Sequence, residues 1–233
     1  MEPGGLSRLL GCRVPAERGN IHVIDNPALQ GILLELRDRS TPRHRFRELL
    51  ELAGLLLGYE AGRLLSTRRD EVETPLGVRA QGLRVADEEL SVIAVLRAAL
   101  PMAMGVVKVY PRASLGFVAA SRLEDTGRRV DGRMVFDVNT PYWKLPTIEG
   151  RDVILVDPML ATGSTLARVA ERVAKQKPRR MVIISLITTM QGIERVLEAA
   201  STAYIVTAAV DPVLNEHGFI VPGLGDAGDR CFG

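Results

Sequence analysis

Lysine is scarce in this chain. It occurs only at positions 108, 144, 175 and 177, so the 30 basic residues are almost all arginine. Such a bias accompanies either genome composition or a hot habitat and by itself decides neither. No excess of one charge exists: 28 acidic residues leave a net charge of +2, which makes no general case for nucleic acid or membrane as a partner. Only two cysteines are present, Cys12 and Cys231, too few and too far apart for a disulfide framework or a thiolate metal site. They are expected to be free thiols in a reducing cytoplasm. No apolar run reaches membrane-spanning length, and none in the first twenty residues suits a signal peptide, so the expected location is cytoplasmic. Several signatures are also missing. There is no H-E-x-x-H, no C-x-x-C and no G-x-S-x-G. No lysine directly follows a glycine, which excludes a Walker A loop.

What is present suits one sizeable α/β domain: 233 residues, 46% hydrophobic and 25% charged. Residues 1–20, rich in Gly, Arg and Pro, read as a loose extension, and 21–233 as a single domain. Asn26-Pro27 predicts a helix start, with a cap residue followed by proline at the first helical position. Thr41-Pro42 predicts a second start of the same kind, with the helix running to about Leu65. Its apolar stripe (Phe46, Leu49, Leu50, Ala53, Leu56, Leu57, Leu64) serves either the chain's own core or a second subunit. Glu71–Leu83 reads as a hairpin around Pro75-Leu76-Gly77. Ser91–Leu96 is a buried strand ending at Arg97, and Ala98–Val107 a helix with an awkward Pro101. Leu115–Ala120 is a strand with Arg122 just past its end. Residues 124–149 read as a β-hairpin with a short strand at Met134–Val138, forming a mobile cover. Beyond this, strands 153–157, 181–187 and 203–210 alternate with helices 165–175 and 193–200. That alternation predicts a parallel sheet flanked by helices on both faces.

The most informative stretch is VILVDPMLATGST, residues 153–165. Four apolar residues form a strand, Asp157 follows, and a loop of small and hydroxyl residues opens a helix. Backbone N–H groups, the positive helix end and hydroxyls there converge on one point, an arrangement that holds a phosphate. Asp157 at the loop mouth suits a ribose diol. An ordinary β-turn-α junction is the other reading, since T-G-S also caps helices. In parallel sheets, ligands bind beyond the carboxyl ends of the strands. Arg97 and Arg122 reach that rim, either as solvated charges or as a bidentate anion clamp. A phosphate loop with a separate arginine clamp suits a ligand with anions at both ends. Near the C-terminus, Gly223-Leu224-Gly225-Asp226-Ala227-Gly228 spells G-x-G-x-x-G. It is a false dinucleotide fingerprint, because no βαβ unit continues after it. Glycines here let backbone approach a flat ligand closely. His217 reads as a turn residue rather than a base.

Taken together, VLRAA at 95–99, ASR at 120–122, VDPMLATGST at 156–165 and LNEHGFIVPGLGDAGDR at 214–230 resemble the uracil phosphoribosyltransferase family, archaeal form, from about His22 to Gly233. The tail is the most specific of these motifs. The resemblance implies the type I phosphoribosyltransferase fold with a C-terminal base-binding segment. It also implies conversion of uracil and 5-phosphoribosyl 1-pyrophosphate (PRPP) to UMP and pyrophosphate. By resemblance, Asp157, Pro158, Met159, Leu160, Ala161, Thr162, Gly163, Ser164 and Thr165 bind the phosphoribose. Arg97 and Arg122 hold the pyrophosphate, Asp226 contacts the same substrate, and these three carry catalysis. Ile220, Gly225, Asp226 and Ala227 recognise uracil. The family implies Mg²⁺, a homo-oligomer (dimer or tetramer) and, in many members, activation by GTP. Ser164 and Ala99 replace glycines common in bacterial relatives, and Ser164 is expected to add a hydroxyl towards the phosphate. Pro158 stands where many related transferases have a second acid, so the metal is expected on substrate oxygens and water, with Asp226 nearby.

Elementary chemistry agrees. Uracil presents acceptor, donor, acceptor along O2, N3–H and O4, so a peptide row of N–H, C=O, N–H matches it and mismatches cytosine at position 4. Two other classes compete: a regulatory protein that binds PRPP and acts on RNA or DNA, and a transferase for a purine or orotate. An RNA reader needs a basic, aromatic-rich surface, whereas aromatics make up 4% of this chain. A DNA reader needs an additional domain, and the GLGDAGDR tail argues against another base.

Overall fold

The computed structural model describes residues 19–233, the side chain of Glu124 excepted. Cys12 and most of the 1–20 extension lie outside the described residues. In chain order the elements are β1 (Ile21–Val23), α1 (Pro27–Arg37), α2 (Arg43–Ala61), β2 (Thr67–Glu73), β3 (Arg79–Val85), β4 (Leu90–Leu96) and α3 (Ala99–Val109). Then follow β5 (Ser114–Val130), β6 (Arg133–Lys144), β7 (Asp152–Val156), β8 (Met159–Leu160), α4 (Ser164–Ala174), β9 (Arg180–Thr189) and α5 (Met190–Ala199). The chain closes with β10 (Tyr204–Asp211), β11 (Val213–Leu214), β12 (Ile220–Val221) and α6 (Ala227–Phe232).

The main sheet runs β1-β10-β9-β7-β4-β5-β6, with β8 pairing β9. Every pairing is parallel except β5 with β6. Strands β4 and β7 are buried throughout, so they read as unbroken apolar runs rather than alternating ones. One core layer joins α1, α2, α3 and α6 to one face of the sheet. The other joins α4 and α5 to the opposite face. The sandwich of helices on both faces is therefore as the alternation predicts. β2 and β3 form a separate antiparallel hairpin, longer than the predicted 71–83.

Several local expectations need correction. Asn26 caps α1 as predicted, accepting the Ala28 N–H at 2.9 Å. Thr41 does not cap α2, because its hydroxyl donates instead to the Glu35 carbonyl at 2.6 Å. The α2 stripe is core: Phe46, Leu49, Leu50, Ala53 and Leu57 are fully buried within the chain, with Leu56 and Leu64 partly so. Pro101 is accommodated in α3 because it falls in the first turn, where no intrahelical acceptor is lost. The largest departure is the hairpin over the sheet's end. Strand β5 continues to Val130 rather than stopping at Ala120, and β6 spans twelve residues rather than five. Arg122 therefore sits within a strand, not past its end.

Candidate active site

Asp157 follows the buried β7, and the loop after it is built by turning its carbonyls away from solvent. The Pro158 carbonyl accepts N–H groups of Leu186 and Ile187, both at 3.1 Å. The Ser185 hydroxyl donates to the Asp157 carbonyl at 2.7 Å, and the Thr189 hydroxyl to the Ala161 carbonyl at 2.7 Å. Gln191 donates to the Thr162 carbonyl at 3.2 Å. Buried carbonyls need partners, and here β9 and the start of α5 supply them. Gly163 then enters α4 at φ 76°, a left-handed conformation that glycine adopts without penalty. It provides no side-chain cap. The helix start is thus open to the cavity lined by Gly163, Ser164, Thr165 and Leu166, as an anion site requires.

That cavity, about 640 Å³, gathers almost every predicted residue: Arg97, Arg122, Asp157, Met159 to Thr165, Ile220, Gly225, Asp226 and Ala227. Pro158 is not in its lining; its ring is buried and its carbonyl is spent on β9. The Ser164 hydroxyl accepts the Phe136 N–H and the Thr162 hydroxyl, both at 3.1 Å, which uses its lone pairs and leaves its own O–H as a donor at the cavity it lines.

Arg97 follows β4 through a cis peptide bond from Leu96 and is exposed. Its guanidinium rests on Asp229 at 3.2 Å. Arg122 lies over the rings of Phe136 and Phe219, with centroids 4.9 and 5.6 Å away. Cation–π contact of this kind positions the guanidinium without neutralising it. The carboxyl of Asp157 is pushed up to about 7 by burial, opposed by the Met159 N–H and then by Arg122. Asp226 caps α6, accepting the Asp229 N–H at 2.9 Å with one oxygen. Ile220 and Ala227 are buried, whereas Gly225 and Asp226 are exposed at the cavity. A cis bond joins Val221 to Pro222. His217 is an exposed turn residue, its N–H held by Asn215, as expected.

Residue-level reasoning missed Ser185, Thr189, Gln191, Phe136 and Phe219. The first two lie within and at the end of an apolar strand and give no local sign of a task. Cys231 is free and buried, and burial pushes its thiol up to about 11. Among the described residues no helix is long and apolar enough to cross a membrane.

A parallel sheet whose rim offers an uncapped helix start on one strand and arginines on two others belongs to the type I phosphoribosyltransferases. Comparison with known proteins narrows this class. The sequence model of the family described as Uracil phosphoribosyltransferase matches residues 23–233, and the chain belongs to that family. A relative from Pyrobaculum islandicum named uracil phosphoribosyltransferase is 44% identical over 215 residues, covering 91% of this chain and 98% of the relative. One of the same name from Thermococcus gammatolerans is 43% identical over 212 residues, covering 90% and 91%. The solved structure of the AQ2163 protein from Aquifex aeolicus superposes with a TM-score of 0.83 at 31% identity, covering 91% of this chain and 97% of that one.

Proposed function

We infer that this chain converts uracil and PRPP to UMP and pyrophosphate. The observation that carries the reading is the meeting, in one cavity, of an uncapped phosphate-type helix start, two arginines and a glycine-rich terminal segment. The terminal phosphate of PRPP sits on Ala161–Thr165, where helix-start N–H groups face the cavity. Asp157 accepts hydroxyls of the ribose. Arg97 and Arg122 bind the pyrophosphate, Arg97 exchanging its exposed Asp229 contact for the substrate. Uracil lies against Ile220 and the backbone of Gly225, Asp226 and Ala227. Its N1 bonds to the anomeric carbon as the bond to pyrophosphate breaks, and the N1 proton leaves to water or to the departing pyrophosphate. Positioning and the two guanidinium charges supply the rate. The β5–β6 hairpin covers the reacting centre and limits water, which would hydrolyse the donor.

Mg²⁺ belongs to this proposal. Among the described residues no group of three or more His, Cys, Asp or Glu could cage a metal. The donor set therefore fits an ion brought in on substrate oxygens, with Asp226 as the nearby carboxylate. When bound, it adds positive charge against the leaving group. Activation by GTP and assembly into a homo-oligomer, dimer or tetramer, are part of the same reading. The β2–β3 hairpin supports assembly, because it stands off the main sheet with Leu76, Val78 and Leu83 exposed. Light scattering tests the assembly, and rates with and without GTP test the activation.

The deciding experiment supplies PRPP, Mg²⁺ and each nucleobase in turn. UMP formation from uracil alone is expected; turnover of a purine but not uracil overturns the reading.

A further inference from the structure

The terminal segment reads its base with main-chain groups, so something must fix which way its peptides point. The glycines at 223 and 225 both have positive φ, 60° and 77°, a conformation that glycine adopts without side-chain strain. The segment's polar groups are instead held from outside the cavity. Asp211, fully buried at the end of β10, accepts the Gly223 N–H at 3.0 Å. Arg37, the last residue of α1, donates to the Gly223 carbonyl at 2.7 Å. The two side chains also grip one another in a bidentate pair, both contacts at 2.7 Å. Both backbone polar groups of Gly223 are thus taken by a single ion pair. The next carbonyl, that of Leu224, accepts from Arg230 at 2.8 Å. Arg230 also donates to the carbonyls of Leu36 and Asp38 at the end of α1, and its guanidinium lies 4.2 Å from the Phe46 ring centroid.

Consecutive carbonyls at 223 and 224 therefore point towards arginines. Neither Arg37, Asp211 nor Arg230 lines the cavity. A largely buried, bidentate pair is costly to break from one side, and such networks are better at specifying one arrangement than at adding stability. Nothing in this network touches the loop after Asp157, which hangs from β9 and α5 instead.

We propose that Arg37 and Asp211 are positioning residues for base selectivity, fixing the peptides at 223 and 224 so that the N–H and C=O groups of Gly225–Ala227, which line the cavity, meet a pyrimidine edge. The inference rests on the assignment of this segment to uracil. With the pair broken, the Gly223 peptide is free to rotate, and an edge with a donor in place of an acceptor at position 4 is no longer rejected as sharply. The loop after Asp157, held by Ser185, Thr189 and Gln191, keeps its grip on the sugar donor.

The test compares the intact protein with Arg37→Ala, Arg37→Lys and Asp211→Asn, measuring KM for uracil, KM for PRPP, and the rate with uracil against cytosine. For Arg37→Ala the expectation is a rise of tenfold or more in KM for uracil, with KM for PRPP within twofold. The uracil preference over cytosine should fall by at least tenfold. Arg37→Lys retains one donor and should recover part of the uracil KM, and it serves in place of Arg37→Ala should that variant not fold. Asp211→Asn should move the same parameters in the same direction. Equal rises in both KM values would mark the pair as merely structural and overturn the inference, as would an unchanged KM for uracil in all three variants. If the unaltered protein itself fails to turn over uracil, the functional reading is what has failed.

Discussion

Ser164 and Phe136 are joined across the wall of the cavity: the serine hydroxyl accepts the phenylalanine N–H at 3.1 Å. The bond fastens the start of α4 to β6, beside the ring that carries the Arg122 guanidinium. Gln191 makes a second tie, accepting the Met134 N–H at 3.1 Å and donating to the Met134 carbonyl at 2.7 Å. The hairpin is therefore fixed to the loop that follows Asp157.

Replacing Ser164 with glycine strands the buried Phe136 N–H. An unsatisfied buried donor costs about 1–3 kcal/mol, and urea denaturation should show a loss in that range. KM for PRPP should rise several-fold as the hairpin loosens. An unchanged denaturation midpoint would mean that the bond contributes nothing.

Asp226→Ala should lose most activity while remaining folded. The cap on α6 is worth about 1 kcal/mol, too little to unfold the chain, so circular dichroism should be native. Full activity in that variant would mean the donor site is misplaced.

Gly192 lies outside the cavity, yet a Cβ there would come within 2.5 Å of the Ala161 carbonyl oxygen and 2.6 Å of that of Leu160. Gly192→Ala must push the phosphate-facing loop. Overpacking of this sort costs about 1–3 kcal/mol, and kcat/KM for PRPP should fall by tenfold or more. Wild-type kinetics in this variant would show that the loop tolerates displacement.

The carboxyl of Asp157 stands at about 7 against an ordinary 3.8, chiefly because burial disfavours its charge. A raised value in the folded state means the folded protein holds the proton more tightly. The associated stability is full below about pH 4 and is lost as pH rises through 7. Without ligand, wild-type Tm should fall from pH 5 to pH 8 relative to Asp157→Asn, by the equivalent of roughly 1–3 kcal/mol. Since the ionised form accepts the ribose hydroxyls, PRPP affinity should weaken below pH 7. Parallel Tm profiles for the two proteins would remove the premise.

The phosphate-facing loop and the terminal segment were legible from sequence because each is a contiguous run whose composition has a local physical purpose. Strand–acid–small residues–helix can be read without any partner. Arg37 and Asp211 could not be read, since they lie 174 positions apart and meet only when α1 packs on β10. The reach of β5 and β6 was hidden for another reason. Residues such as Arg122, Arg128 and Asp137 supply no apolar alternation, and only cross-strand pairing over both strands reveals their extent. The tie between Ser164 and Phe136 was hidden as well, since the two residues lie 28 positions apart and meet only when α4 packs beside β6.

The two halves of the cavity hang from different supports. The loop after Asp157 is held by Ser185, Thr189 and Gln191, while the terminal segment is moored by Arg37, Asp211 and Arg230. Because the two supports share no side chain, a substitution in one can shift its wall of the cavity and leave the other wall where it stands.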